Sequence, residues 1–332
     1  MKKILALALS LTLVMGMVTG CSSKAESVKT GLGVVTSIGK SASVGEKDGL
    51  GQVDSVVVAV LVDAAGKIVD CKIDSAQTKI KFNAEGKLVD LAATELRSKQ
   101  ELGKEYGMTV ASGIGKEWNE QADSLAKYVI GKTVDEVKSI AVNEDTVPTD
   151  ADLAATVTIK IAGYIEGIEK AVANAKDLGA KKGDKLGLAI NTTVDKSTDA
   201  TAEAEGLAQA YSNYAAVSVN KGKITSVAID ASQSNVNFST TGEVTSDLTA
   251  KPQTKQELGA AYDMKKASSI GKEWFEQADA FAKYATGKTA AEVEGIKLTA
   301  EGVPAETDLA SSVTMHVGPY MSVVAKAVNN AK

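Results

Sequence analysis

The side chains best suited to chemistry lie near the end of each half of the chain. Each half places one carboxylate a short distance ahead of two hydroxyls, with small residues between them and a helical pattern after them. These residues are Asp152, Thr156 and Thr158 in the first half, and Asp308, Ser312 and Thr314 in the second. A segment of this kind offers a hydroxyl acceptor near an acid. Because it occurs twice, we take it as the candidate site.

The residue counts exclude several other chemistries. The chain has one histidine, His316, and two cysteines, which cannot supply a His/Cys metal site or a Ser-His-Asp triad in each half. The formal net charge of -5 and the 4% aromatic content argue against nucleic acid as a partner, because phosphate binding needs a basic surface. No nucleophile elbow pairs with a histidine, so nothing indicates a hydrolase.

The chain contains one sequence twice, at an offset of 156 residues (255 minus 99). Lys99–Gly103 recurs as Lys255–Gly259, and Ile114–Trp118 recurs as Ile270–Trp274. A period this long indicates tandem domains, since solenoid repeats run about 20–50 residues. The two predicted domains are residues 31–176 and 177–332.

The N-terminus has the three parts of a secretory signal peptide. Met1–Lys3 is basic, Ile4–Val18 is apolar, and Val18–Cys21 resembles a bacterial lipobox. The resemblance implies removal of residues 1–20, a membrane lipid on the Cys21 sulfur and a tether over residues 21–30. Two acyl chains anchor a protein stably where one is marginal. We therefore expect a lipid anchor on the extracytoplasmic face of the cell membrane. The alternative is an ordinary signal peptide followed by a chance cysteine.

Each copy begins with a β pattern and ends with a helical one. Asp54–Val62 and Lys67–Asp74 predict a hairpin, and Lys79–Phe82 predicts a third strand. The spacing of apolar residues predicts a helix over Gly115–Val129 and a closing helix over Ile165–Ala175. Strands followed by helices indicate an α+β fold of two tandem homologous domains, each an antiparallel β-hairpin sheet followed by packed helices.

Several residues allow both a functional and a structural interpretation. Trp118 and Trp274 could stack on a bound cofactor, or they could be half-buried anchors of the helix that follows; their place on its apolar stripe favours the anchor. Cys71 has strand-like surroundings and matches Val227 of the second copy, which favours packing over thiol chemistry. Ser112 is a possible cap of the helix predicted after it.

The layout of the chain and its acid-to-hydroxyl segment resemble the FMN-binding domain family of extracytoplasmic flavoproteins. In that family a motif of the form Asp-x-x-Ser/Thr-Gly-Ala-Thr supplies a threonine hydroxyl. A separate flavin transferase esterifies this hydroxyl with the phosphate of FMN. The resemblance covers most of the chain in layout, and its diagnostic motif spans one short segment in each copy.

Two registers of the family motif fit this sequence. In the preferred register the acid and the acceptor are Asp152 and Thr158, or Asp308 and Thr314. In the other register they are Asp150 and Thr156, or Glu306 and Ser312. The preferred register keeps both residue types in both copies, although valine stands for the family alanine and Thr156 or Ser312 for the glycine.

The resemblance implies a lipoprotein that carries FMN and passes electrons from a membrane donor to external acceptors, with no turnover of its own. The chemistry then belongs to the flavin ring, and the protein supplies position and hydrogen bonds. Covalent and noncovalent attachment both remain open, as does loading of one or both copies. Two other functions also remain: a lipoprotein that binds a ligand or a protein without redox chemistry, and a structural lipoprotein associated with the cell wall.

Overall fold

A computed structural model describes residues 26–332, which have a mixed α+β architecture. Within this range there are two antiparallel sheets, of four and three strands, and ten α-helices. In the first copy they are β1 (Lys29–Ser37), β2 (Gly49–Val62), β3 (Ile68–Phe82), β4 (Leu88–Val89), α1 (Lys99–Leu102), α2 (Trp118–Tyr128), α3 (Val134–Lys138), α4 (Ala151–Ala154) and α5 (Ala162–Ala173). In the second copy they are β5 (Lys185–Thr193), β6 (Gly206–Asn220), β7 (Lys223–Phe238), α6 (Lys255–Leu258), α7 (Trp274–Ala285), α8 (Ala290–Glu294), α9 (Thr307–Ala310) and α10 (Gly318–Asn330).

Each sheet is built on one long hairpin: β1 and β4 flank the hairpin of the first sheet, and β5 flanks that of the second. The hairpin of β2 and β3 extends to the pair Gly49 and Phe82, and β1 lies antiparallel to β2. The predicted hairpin is confirmed. The separate third strand over Lys79–Phe82 is wrong, because these residues continue β3. No glycine, proline or asparagine lies between residues 74 and 79 to end the strand.

The sequence patterns do not predict β1 or its counterpart β5, because both contain glycines that are rare in strands. The packing of a helix on the strand explains these glycines. A Cβ atom added at Gly31 would lie 1.9 Å from the carbonyl oxygen of Ala171 in α5. Gly187 of β5 meets α10 in the same way, at 2.0 Å from the oxygen of Ala327. Only glycine allows this close approach of helix and strand backbones.

The two sheets face each other across a shared apolar core. This core includes Val57 and Leu61 from the first sheet and Leu186 and Tyr214 from the second. At one end Phe82 and Phe238 stack with their ring centroids 4.0 Å apart and their planes within 1°. These two phenylalanines occupy equivalent positions of the repeat. Because equivalent residues contact each other, the copies are related by an approximate two-fold axis that passes through this stack.

Helices cover the outer faces of the sheets. In the first copy α2 and α5 bury Trp118, Leu125 and Ile168 against β2 and β3, and α7 and α10 do the same in the second copy. The predicted cap Ser112 is wrong, because α2 begins later. Glu117 is the N-cap, and its N–H donates to the carboxylate of Glu120 at 2.8 Å.

The first described residues belong to the fold. Val28 is buried and its N–H donates to the oxygen of Ala180 at 3.1 Å, and the Thr30 N–H donates to Lys176 at 2.9 Å. The tether predicted over residues 21–30 therefore ends before Val28. Cys21 and the predicted signal peptide over residues 1–20 lie outside the described residues. Between residues 26 and 332, no helix has the length and apolar character needed to cross a membrane.

Candidate functional site

The predicted acceptors Thr158 and Thr314 lie in the loops that lead into the closing helices α5 and α10, and both are half-buried. The backbone N–H and the hydroxyl of Thr158 both donate to Oε1 of Gln121, at 2.8 and 3.2 Å. Thr314 makes the same two bonds to Gln277, at 2.8 and 3.4 Å. Each hydroxyl therefore lies near the surface but is already engaged with a glutamine.

Gln121 lies on α2 and Gln277 on α7, and each holds the loop that carries Thr158 or Thr314, here called a threonine loop. Sequence reasoning missed both glutamines. Gln121 is fully buried, and its amide donates to the hydroxyl of Ser112 at 3.0 Å and to the oxygen of Lys116 at 3.2 Å. It thus ties α2, the preceding loop and the Thr158 loop together. A buried amide with both ends bonded fixes its partners. The available signal was a glutamine on the apolar face of α2 that recurs in the second copy.

The predicted acids do not approach the threonines. Asp152 and Asp308 are exposed on α4 and α9. Within the described residues, neither is hydrogen-bonded to Thr158 or Thr314. Asp150, the acid of the other register, caps α4 and accepts from the N–H of Leu153 at 3.1 Å. Its role is therefore that of an N-cap.

The second pair of predicted hydroxyls makes local bonds. Thr156 donates to the oxygen of Leu153 at 3.1 Å, and Ser312 donates to the oxygen of Leu309 at 3.2 Å. Both bonds close the turn that ends the short helix. Neither these hydroxyls nor the threonines line the clefts described below.

The tryptophans are anchors. Trp118 and Trp274 are each 2% exposed, and their indole N–H groups donate to the hydroxyls of Tyr164 and Tyr320 at 2.8 and 3.0 Å. The anchor hypothesis is confirmed, with a burial more complete than predicted. A ring enclosed in this way offers no open face for a cofactor.

Cys71 is a packing residue. It is 3% exposed in the core between β3 and the helices, and burial raises the pKa of its thiol. A buried thiol with a raised pKa is a poor nucleophile. The packing interpretation is therefore confirmed.

Two clefts lie at equivalent places where the copies meet. The larger cleft has a volume of about 740 Å³ and the smaller cleft about 380 Å³. Eight positions of the larger cleft recur in the smaller one with the same residue type and with the roles of the copies exchanged. In the larger cleft they are Leu32, Asn174, Lys176, Ile229, Asp230, Gln256, Glu257 and Asp279. In the smaller cleft they are Leu188, Asn330, Lys332, Ile73, Asp74, Gln100, Glu101 and Asp123.

An ion pair between the copies adjoins each cleft. Lys170 lies 2.7 Å from the carboxylate of Glu257, and Lys326 lies 2.6 Å from that of Glu101. The two glutamates line the clefts. Their side chains are 27% and 30% exposed, so solvent screens these pairs less than it screens fully exposed ones. Each pair thus joins the two copies beside a cleft.

A buried carboxyl forms part of each cleft wall. Asp230 is 7% exposed and accepts from the N–H groups of Ala231 and Gln256, at 2.7 and 3.1 Å. Burial raises the pKa of Asp230 to about 7, although a hydrogen bond from Thr254 opposes the shift. Burial likewise raises the pKa of Asp74 to about 6. Desolvation disfavours the charged form, so both carboxyls change protonation near neutral pH.

One substitution accompanies the difference in cleft size. Lys72 lines the smaller cleft, and Ala228 takes its place in the larger one. The larger cleft also gains Asp177 and Leu178, from the segment that links the copies.

Among residues 26–332, no three His, Cys, Asp or Glu side chains are grouped to hold a metal ion. Comparisons with family models, with curated proteins and with solved structures found no match for the chain.

Proposed function

We propose that this chain is an extracytoplasmic, lipid-anchored binding protein whose ligand occupies the larger cleft. One observation carries the proposal: the repeat forms the same cleft twice, and the wider cleft has Ala228 where the narrower one has Lys72. Ligand sites are concave and largely apolar, with a few convergent polar groups. Leu32 and Ile229 supply the apolar part of the larger cleft, beside the buried carboxyl of Asp230.

The charges of the larger cleft favour an amphipathic amine as ligand. Its carboxyl groups outnumber its ammonium groups, although Glu257 is already paired with Lys170 and the pKa of Asp230 is raised to about 7. The acids are Asp177, Asp230, Glu257 and Asp279, and the bases are Lys176 and Lys283. Complementary charge selects a partner of opposite sign. The ammonium group of the ligand then lies toward the acids and its apolar part lies on the leucine and isoleucine side chains.

Two homologous tandem domains, residues 31–176 and 177–332, and an anchor at Cys21 are part of this proposal. The matching order of strands and helices in the two copies supports the homology. The core shared by the sheets favours domains that act as one unit, since each cleft needs walls from both. Anchoring keeps the clefts near the membrane surface.

The test is calorimetric titration of the mature chain with n-hexylamine, a small amphipathic amine. Ala228→Lys introduces into the larger cleft the lysine found in the smaller one, and binding should weaken by at least about tenfold. The matched variant Lys72→Ala should instead give the smaller cleft a second binding equivalent. Equal binding by the wild-type chain and Ala228→Lys contradicts the proposal, as does an absence of binding to either.

A second candidate function is that of an FMN carrier, and one observation favours it. Thr158 and Thr314 occupy equivalent, half-buried positions, so their hydroxyls are near enough to the surface for esterification. FMN, when attached, supplies one- and two-electron chemistry. In this function Gln121 and Gln277 orient the two attachment loops. A flavin transferase and a membrane electron donor are then the partners.

Coexpression with a flavin transferase tests this second candidate. The expected result is a visible oxidised-flavin band and an intact mass increased by one or two FMN units. Thr158→Ala and Thr314→Ala should abolish the mass increase, whereas the matched variants Thr156→Ala and Ser312→Ala should keep it. Loss in the second pair alone assigns the other register. A colourless chain of unmodified mass excludes the carrier function and leaves the binding function untouched.

A further inference from the structure

We propose that the first copy binds an uncharged phenolic ring in a third cleft, whose lining residues differ from those of the two clefts between the copies. This Lys99 cleft has a volume of about 250 Å³. Its walls include Gln77, Lys79, Arg97, Lys99, Glu105 and Tyr106. The inference does not rest on the function proposed for the larger cleft.

The corresponding place in the second copy already holds a phenol, the side chain of Tyr211. Lys255 is 5% exposed there. Its ammonium group lies 4.7 Å from the ring centroid of Tyr211 and 4.4 Å from that of Tyr262. Nζ of Lys255 also donates to the hydroxyl of Tyr211 at 3.0 Å, and this hydroxyl lies 3.1 Å from that of Tyr320. The second copy thus shows how this site encloses a phenol.

The strand pairing establishes which residue of the first copy replaces Tyr211. Tyr211 lies opposite Gln233 on β7, and Asp54 lies opposite Gln77, the counterpart of Gln233, on β3. Four residues around the Tyr211 phenol have the same type in both copies: Lys99 and Lys255, Tyr106 and Tyr262, Trp118 and Trp274, and Tyr164 and Tyr320. The cleft walls Lys79, Arg97 and Glu105 differ, because Asn235, Gln253 and Ala261 stand at these positions in the second copy. The first copy therefore keeps these four neighbours of the phenol and lacks the phenol itself.

Asp54 does not fill the space that a tyrosine ring occupies. Its carboxylate accepts from Nε2 of Gln52 at 2.9 Å and from Nε2 of Gln77 at 3.0 Å, and it pairs with Lys40 at 2.9 Å. Lys99 is consequently only half-buried. Its ammonium group remains over the ring of Tyr106, 4.6 Å from the centroid. Among the described residues of the first copy, no ring covers the side of the lysine ammonium group that Tyr211 covers in the second copy.

These contacts define the chemistry of the ligand. An aromatic ring in the position of Tyr211 presents its face to the Lys99 ammonium, a cation–π contact that strengthens as water is excluded. A hydroxyl on that ring accepts from Lys99 and bonds with the hydroxyl of Tyr164. Because the side chain that fills the equivalent place in the second copy is the phenol of Tyr211, a phenol is favoured as the ligand.

Calorimetric titration of the mature chain with p-cresol, the side chain of tyrosine, tests the inference. We expect one binding equivalent with a dissociation constant on the order of 1 mM, as befits so small a ligand. Asp54→Tyr supplies the missing ring from the chain itself and should weaken binding by at least about tenfold. The matched variant Asp54→Asn removes the charge without filling the cleft and should keep binding.

Further variants separate this site from the others. Lys99→Met removes the cation and should also weaken p-cresol binding by about tenfold, while toluene, which lacks the hydroxyl, should bind more weakly than p-cresol. Ala228→Lys should leave p-cresol binding unchanged, because it alters only the larger cleft. Circular dichroism establishes that each variant is folded. The inference is overturned if p-cresol does not bind, if Asp54→Tyr binds as well as the wild-type chain, or if Ala228→Lys abolishes binding.

Discussion

Removing either ring of the stack at the two-fold axis should destabilise the whole chain. Phe82 and Phe238 are 0% exposed and stack at 4.0 Å. Truncation of a buried phenylalanine to alanine costs about 3–5 kcal/mol. The neighbour of Phe82 is Gly49, where an added Cβ would lie 2.1 Å from the ring. Because glycine has no side chain to move into the cavity, we expect Phe82→Ala near the upper end of that range.

Urea unfolding followed by circular dichroism and tryptophan fluorescence measures this loss. Trp118 and Trp274 report on one copy each, and both should change in a single transition, because the sheets share a core. In the double-mutant cycle, Phe82→Ala and Phe238→Ala should show a coupling energy of about 0.5–1.5 kcal/mol from the lost aromatic pair.

A surface control is Val110→Ala, since Val110 is 98% exposed. This change should alter the free energy of unfolding by no more than about 0.5 kcal/mol. A loss below about 1 kcal/mol for Phe82→Ala would refute the reasoning. So would two separate transitions of which only one responds to the substitution, because the copies would then unfold independently.

Three other changes have defined outcomes. The pKa of Asp230 is raised to about 7 from an ordinary 3.8, so the folded chain holds this proton more tightly than the unfolded chain does. Its contribution to stability is lost as the pH rises from about 4 to about 7, and Asp230→Asn should flatten that part of a urea-unfolding profile. Gly31→Ala places a Cβ 1.9 Å from a backbone oxygen and should lower the melting temperature, whereas Gly163→Ala, with its nearest neighbour at 3.8 Å, should not. In a chain starting at residue 26, Cys71 should react with a thiol reagent only after unfolding, and prompt reaction of the native chain would contradict its burial.

The sequence predicts the hairpins and the long helices, but only part of the sheet architecture. Alternation identifies β2 and β3 because it needs only local residues. The glycines that hide β1 are required by contact with α5, which is distant in sequence, so no local pattern explains them. The run Val56–Val62 is buried at nearly every position, as is typical of a sheet covered on both faces. That run was the available signal for the face-to-face packing of the sheets.

The candidate sites could likewise be predicted only in part from the sequence. The threonine loops are recognisable from a short motif, but their bond to Gln121 depends on how α2 packs. The larger cleft is formed by Leu32 and Asn174 of the first copy and Asp230 of the second. Because these residues are far apart in the sequence, no local pattern of residues predicts that they come together. The difference between Lys72 and Ala228 is visible once the two copies are aligned. The volumes of the two clefts, however, can be known only from the folded structure.

The start of the described chain is joined to the segment that connects the copies. The backbone oxygen of Glu26 accepts from the N–H of Lys182 at 2.8 Å, and the side chains of Glu26 and Lys182 form an ion pair at 3.1 Å. The N–H of Thr30 donates to the backbone oxygen of Lys176. If the polypeptide is held at its N-terminus, a pulling force acts first on these bonds between residues 26–30 and residues 176–182. The force is then carried by both copies from the start, so the copies are not expected to unfold one after the other.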